Sequence, residues 1–206
     1  MVADGKGILA ADESSGTIEK RFSGIGVDST PENRCAWREL LFRTETAMRA
    51  HISGVILFDE TLRQKSPDGT PLVQLITEAG AIAGIKVDAG AKDLAGHAGE
   101  KITEGLDGLR ERLNEYRKLG ARFAKWRAVI NISDTLPSAA CLTANTHALA
   151  RYAALCQEAG IVPIVEPEAI MDGGHSIERV SRSAAPPSPA FMCSWPNRAC
   201  IWKAQS

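Results

Sequence analysis

Residues 160–170 read GIVPIVEPEAI. A short apolar run, rich in Val and Ile and opened by glycine, has the make-up of a buried strand. Yet Glu166 and Glu168 interrupt it. Side chains alternate along a strand, so these two carboxylates point the same way. Working outward, the same combination recurs in FAKWRAVINI (123–132) with Lys125 and Arg127, and in GIKVDAG (84–90) with Lys86 and Asp88. It recurs again in SGVILFDE (53–60) with Asp59 and Glu60, and in GILAADES (7–14) with Asp12 and Glu13. Each run is expected to be a strand with its charge near the C-terminal end.

The stretches between these runs have helical spacing. Thr30-Pro31-Glu32 supplies an N-cap and a first-turn proline ahead of Trp37, Leu40 and Leu41. Leu106, Leu109, Leu113 and Tyr116 recur at three and four residues before Gly120, and Leu149, Tyr152, Ala153 and Cys156 do so before Gly160. Strands alternating with helices indicate a parallel β/α architecture, because parallel strands need a crossover between them. Charge gathered at one end of each strand favours a (β/α)8 TIM barrel, whose active site lies at that mouth. A doubly wound sheet would open its first helix with a Gly-rich turn. Here GKG (5–7) precedes the strand instead.

Composition narrows the class of function. The 206 residues carry 24 basic and 25 acidic side chains, a formal net charge of -1, with none of the basic excess that marks nucleic-acid or anionic-lipid binding. Five cysteines, odd in number and without a C-x-x-C pair, favour reduced thiols over a disulfide framework or a zinc site. The four histidines are isolated and lack metal-ligand spacing, so no metal and no cofactor are expected. No run approaches the ~20 apolar residues of a membrane helix, and MVADGKG is too polar for a signal peptide. A cytoplasmic protein is expected, with neither nucleic-acid nor membrane partners. From about Ser181 the periodicity is lost, in SRSAAPPSPAFMCSWPNRACIWKAQS. Residues 1–180 are therefore expected to form the (β/α) domain, and 181–206 a disordered tail.

The polar residues of the strand runs suit one chemistry. Breaking a carbon–carbon bond beside a carbonyl needs an electron sink, which a lysine provides by forming an imine. Carboxylates then move the protons, and arginines hold phosphate groups. Each element also has a plainer reading: Lys125 as a guard against edge aggregation, Glu166 and Glu168 as solvated loop residues, Asp12–Glu13–Ser14 as a helix cap, and Lys86–Asp88 as an ion pair. Recurrence on five strands favours use, because polar pairs on buried strands are costly unless partnered or employed.

The blocks GKGILAADESSGTIEKRF, ENRCAWRELLF, SGVILFDETLRQK, GLDGLRERLNEYRKLGARFAKWRAVI, LARYAALCQEAGIVPIVEPE and DGGHSIER resemble, in order, the class I fructose-1,6-bisphosphate aldolases of bacterial type. That resemblance implies a (β/α)8 barrel, here incomplete with about five β/α units, and reversible cleavage of fructose 1,6-bisphosphate to dihydroxyacetone phosphate and glyceraldehyde 3-phosphate in glycolysis and gluconeogenesis. It further implies a homo-oligomer and no metal. By motif, it gives catalytic roles to Asp12, Lys86, Lys125, Glu166 and Glu168, with Asp12 assisting bond cleavage and Glu166 as general acid/base. Substrate phosphates fall to Ser14, Thr17, Arg21 and Arg127. Ala89 stands where the family's IKVDKG has lysine.

The larger departure is that no L-L-K-P-N segment, the family's site of the imine lysine, occurs in these residues; Lys203 is the only lysine after Lys125. The expectation is a truncated chain, inactive alone, its tail arising from a shifted reading frame. Two alternatives stand beside it: a non-catalytic remnant that binds sugar phosphates, and another phosphate-handling barrel lyase using Lys125 as nucleophile.

Overall fold

In the computed structural model the described residues are 1–184 and 201–202, with Ala184, Ile201 and Trp202 described by backbone alone. They divide between two compact units. One comprises Met1–Lys86 and Arg112–Ala124; the other comprises Val87–Glu111 and the described residues from Lys125 onward.

The first unit opens with β1 (Gly7–Ala11) and α1 (Ser15–Ser23), then α2 (Pro31–Phe42) and α3 (Glu45–His51). There follow β2 (Ile52–Leu57), α4 (Asp59–Arg63), α5 (Leu72–Glu78) and β3 (Ile82–Lys86). β1 pairs with β2 and β2 with β3, both in parallel. The register sets Ala11 beside Leu57, and Leu57 beside Ile85. Asp12 and Lys86 each lie one residue past this row, so the two strands deliver them to the same level of the sheet. Val55, Leu57 and Ile85 are fully buried, as parallel strands covered by helices should be.

Glycine in these strands has a packing reason. A Cβ on Gly84 would run into the ring of Phe123, and one on Gly54 would stand 3.1 Å from the same ring. Phe123 is itself fully buried, so the two glycines make the slot it fills.

The cap read from Thr30 is present: its hydroxyl accepts from the Asn33 N–H at 3.2 Å, and Pro31 opens α2. The expected apolar face of α2 is not the buried one. Leu40 is 64% exposed and Trp37 lies at the surface, while Arg38 and Phe42 are buried. Residues four apart share a helix face, so burying Phe42 buries Arg38 with it. Asp59 and Glu60 likewise belong to α4 rather than to the end of a strand.

The second unit begins with a short antiparallel pair, β4 (Ala91–Asp93) and β5 (Lys101–Thr103), which the sequence reading did not foresee. α6 (Leu109–Lys118) starts here and passes back into the first unit. β6 (Phe123–Ile130) begins in the first unit and continues in the second, followed by α7 (Ala139–Glu158), β7 (Val162–Ala169) and α8 (Ile177–Ala184). β7 pairs in parallel with β8 (Ile201–Trp202). α8 spans the expected domain boundary at 180; residues 185–200 and 203–206, with most of the expected tail and Lys203, lie outside the described residues.

All five expected strands are present, but the charges of β6 are placed differently from the expectation. Lys125 and Arg127 are its third and fifth residues, and the strand runs on to Ile130. Ala124, Trp126, Ala128 and Ile130 are buried on one face, while Lys125, Arg127 and Val129 share the other, half-buried face. The apolar residues that follow Arg127 prolong the ladder, and Ile170 donates its N–H to the Ile130 carbonyl at 2.9 Å.

Candidate active site

The second unit holds the tighter constellation. Trp126 and Tyr152 are fully buried, with ring centroids 5.5 Å apart. The Tyr152 hydroxyl donates to the Ile164 carbonyl at 3.2 Å. This aromatic clamp joins α7 to both strands, one residue from Lys125 and two residues from Glu166. Locking the buried neighbours fixes what the alternate positions present.

On that alternate face the Lys125 Nζ lies 3.4 Å from Glu166 Oε2, with both side chains largely shielded from solvent. Opposing influences act on Glu166, the nearby Glu168 charge adding to the effect of burial. Burial raises its pKa above the ordinary carboxylate value, while Lys125 and, more weakly, Arg127 pull it down; burial prevails. A carboxyl raised in this way holds its proton nearer to neutral pH, which general acid/base work requires.

Two residues on, Glu168 is gripped by Arg127 through Nε and Nη2, the latter at 2.8 Å. The bidentate hydrogen bond holds the Glu168 pKa below its usual value despite partial burial. The pKa values of the two glutamates of VEPE are thus driven in opposite directions. Asp88 completes the group. Its carboxylate accepts from the Gly90 N–H at 3.1 Å and, more weakly, from the Arg127 N–H at 3.4 Å.

The first unit carries the remaining candidates. Asp12 and Lys86 stand at the ends of β1 and β3. Ser14 precedes α1 as its cap residue, and its hydroxyl lies 3.1 Å from that of Thr17. Arg21, 60% exposed, donates to the Glu13 carboxylate. Behind this loop lies an arrangement that the sequence reading missed. Arg38 is fully buried and donates to the Glu13 carbonyl at 2.8 Å. Its guanidinium stands 3.8 Å from a carboxylate oxygen of Glu13 and 3.8 Å from one of Glu60. Glu60 is itself held in a fork by Arg34, at 2.8 and 2.6 Å, which lowers its pKa. The available signal was Arg34, Arg38 and Phe42 at four-residue spacing on one helix face.

The candidates therefore fall into a β1/β3 group in one unit and a β6/β7 group in the other. Among the described residues, no group of three or more His, Cys, Asp or Glu side chains could hold a metal ion.

A model of the class-I fructose-bisphosphate aldolase family, of glycolytic type, matches residues 1–185. This chain belongs to the class I fructose-bisphosphate aldolase family. It is 65% identical over 178 residues to a probable fructose-bisphosphate aldolase class 1 of Xanthomonas campestris pv. campestris, covering 86% of this chain and 53% of that protein. It is 57% identical over 175 residues to the cytosolic fructose-bisphosphate aldolase 6 of Arabidopsis thaliana, covering 85% of this chain and 49% of that one. Among solved structures it is similar to a fructose-bisphosphate aldolase of Plasmodium falciparum, crystallised with TRAP and a small-molecule inhibitor. There the identity is 50% and the TM-score 0.81, over 86% of this chain and 51% of the other. The chain thus spans about half the length of the aldolases it matches, and its fold is an incomplete TIM-barrel-like α/β fold. No helix among the described residues is long and apolar enough to cross a membrane.

Proposed function

We propose that this chain carries the proton-transfer and phosphate-holding share of the class I aldolase reaction, the reversible cleavage of fructose 1,6-bisphosphate into two triose phosphates. The observation that carries this reading is the Lys125–Glu166 pair at 3.4 Å, with burial raising the pKa of Glu166. A neutral Glu166 can give a proton to the hydroxyl leaving a carbinolamine and take one back in the reverse direction. Lys125, a cation beside it, stabilises negative charge that develops on the sugar's oxygens. Glu168 fixes the fork of Arg127, leaving its remaining N–H groups to meet a phosphate or hydroxyl. Asp12 and Lys86 serve the bond-cleaving side, and a phosphate is received by Ser14 and Thr17 at the start of α1 and by Arg21 in its last turn. The imine itself requires a lysine that the 206 residues do not offer in the family's L-L-K-P-N context. We place the protein in the cytoplasm, as the Arabidopsis relative is named cytosolic, and expect the family's oligomeric habit.

A chimera tests this reading. Residues 1–180 of this chain, joined to the remainder of the Xanthomonas relative, should cleave fructose 1,6-bisphosphate. Glu166→Gln in that chimera should lower kcat on the order of a hundredfold or more. A folded chimera with no activity, or one indifferent to Glu166→Gln, would refute the assignment.

A further inference from the structure

The Glu13 carboxylate sits between two arginines and is hydrogen-bonded to only one of them. One oxygen accepts from Arg21, which is mostly exposed. The other is buried, without a hydrogen-bond partner, 3.8 Å from Nη2 of Arg38, which also donates to the Glu13 carbonyl. Arg38 in turn is fully buried, and its Nε and Nη1 are also without hydrogen-bond partners, Nη1 standing 3.8 Å from a carboxylate oxygen of Glu60. A buried guanidinium with idle donors beside a buried, idle carboxylate oxygen is costly as it stands. The cost is removed by a shift of about one ångström that brings donor and acceptor to hydrogen-bond distance. What restrains the carboxylate is Arg21.

We propose that Glu13 is an exchangeable counter-ion: a phosphate group arriving at Arg21 displaces the carboxylate, which closes on the buried guanidinium of Arg38. Arg38 is then a positioning residue for the phosphate contact, acting through Glu13 and touching no ligand. Its hydrogen bond to the Glu13 carbonyl holds the backbone between Asp12 and Ser14 in place while the side chain turns. The exchange lets Arg21 keep a partner when the site is empty and gives Glu13 one when it is filled. This inference rests on the proposed reading of Arg21 as a phosphate contact.

The test measures affinity of the full 206-residue chain for inorganic phosphate by titration, in four variants. Glu13→Gln removes the competitor for Arg21, and phosphate should bind about two- to fivefold tighter, the range of an exposed ion pair. Arg38→Met leaves Glu13 with no alternative partner, and phosphate should bind weaker by a similar factor. In the Glu13→Gln/Arg38→Met double variant the Arg38 substitution should have no further effect, which a merely structural role for Arg38 would not produce. Should Arg38→Met fail to fold, Glu13→Gln alone decides, since that substitution keeps the size and shape of the side chain. Unchanged or weaker phosphate binding by Glu13→Gln overturns the exchange. Arg21→Ala separates the two claims: if it abolishes binding while Glu13→Gln has no effect, only the exchange fails. If Arg21→Ala binds as the parent does, or the parent takes up no phosphate at millimolar concentration, the phosphate reading fails and the exchange with it.

Discussion

Lys125 and Glu166 face one another across 3.4 Å, and the glutamate is still raised above the ordinary carboxylate value. Desolvation therefore outweighs the neighbouring cation. The sign has consequences for both titration and stability. A carboxyl whose pKa is higher in the folded state contributes stability below its unfolded pKa, and that contribution is lost as pH rises through the folded value. Lys125→Met removes the opposing pull, so the Glu166 pKa should rise further. Carboxyl-carbon NMR titration of parent and variant checks this; a downward shift would show that Lys125 is not what restrains it.

Glu168 should behave in the opposite way. Its hydrogen bonds to Arg127 lower its pKa, so its contribution to stability is present above the unfolded value and lost as pH falls through the folded one. Urea melts of parent and Glu168→Gln should converge toward acid pH and diverge above the usual carboxylate range. Arg127 is 42% exposed, which limits the divergence to about 1 kcal/mol or less. Equal differences at both ends of the range would remove the ion pair from the account.

Gly84→Ala should destabilise the chain by about 1–3 kcal/mol, the usual range for overpacking a filled core. The added methyl would meet the buried Phe123 ring. Combining it with Phe123→Leu should recover part of the loss, because the three atoms nearest the added methyl all belong to that ring. Denaturant midpoints of the two single variants and the double variant measure the coupling.

The two faces of α2 should answer substitution differently. Leu40 is 64% exposed, so Leu40→Lys should change stability by no more than about 0.5 kcal/mol. Phe42 is 2% exposed, and Phe42→Ala should cost about 3–5 kcal/mol. A large loss for Leu40→Lys would mean that another surface covers this position in solution.

The chain by itself should show no cleavage of fructose 1,6-bisphosphate. Loss of a covalent nucleophile can cost on the order of a million-fold in kcat. Borohydride reduction in the presence of dihydroxyacetone phosphate should leave the mass of the chain unchanged. A mass increase abolished by Lys125→Ala would instead make Lys125 the nucleophile.

The β/α alternation and the five strand runs were legible in the sequence, because period-two and period-3.6 patterns are local properties of the chain. So were the Thr30 cap and the pairing of Glu166 with Glu168 on one strand face. The family was legible as well, from blocks such as FAKWR and VEPE that stay contiguous in sequence. What the sequence left open depends on neighbours distant along the chain. Nothing local says that Glu166 has Lys125 beside it, 41 positions earlier, or that the burial around them decides its proton affinity. Nor does α2 by itself reveal which side is covered. Its leucine and tryptophan outrank an arginine in apolarity, yet Arg38 is the buried residue, since Glu13 and Glu60 supply the charge that a buried guanidinium needs. Periodicity registers which residues share a face; only the packed structure decides which face is covered and what charge each side chain meets there.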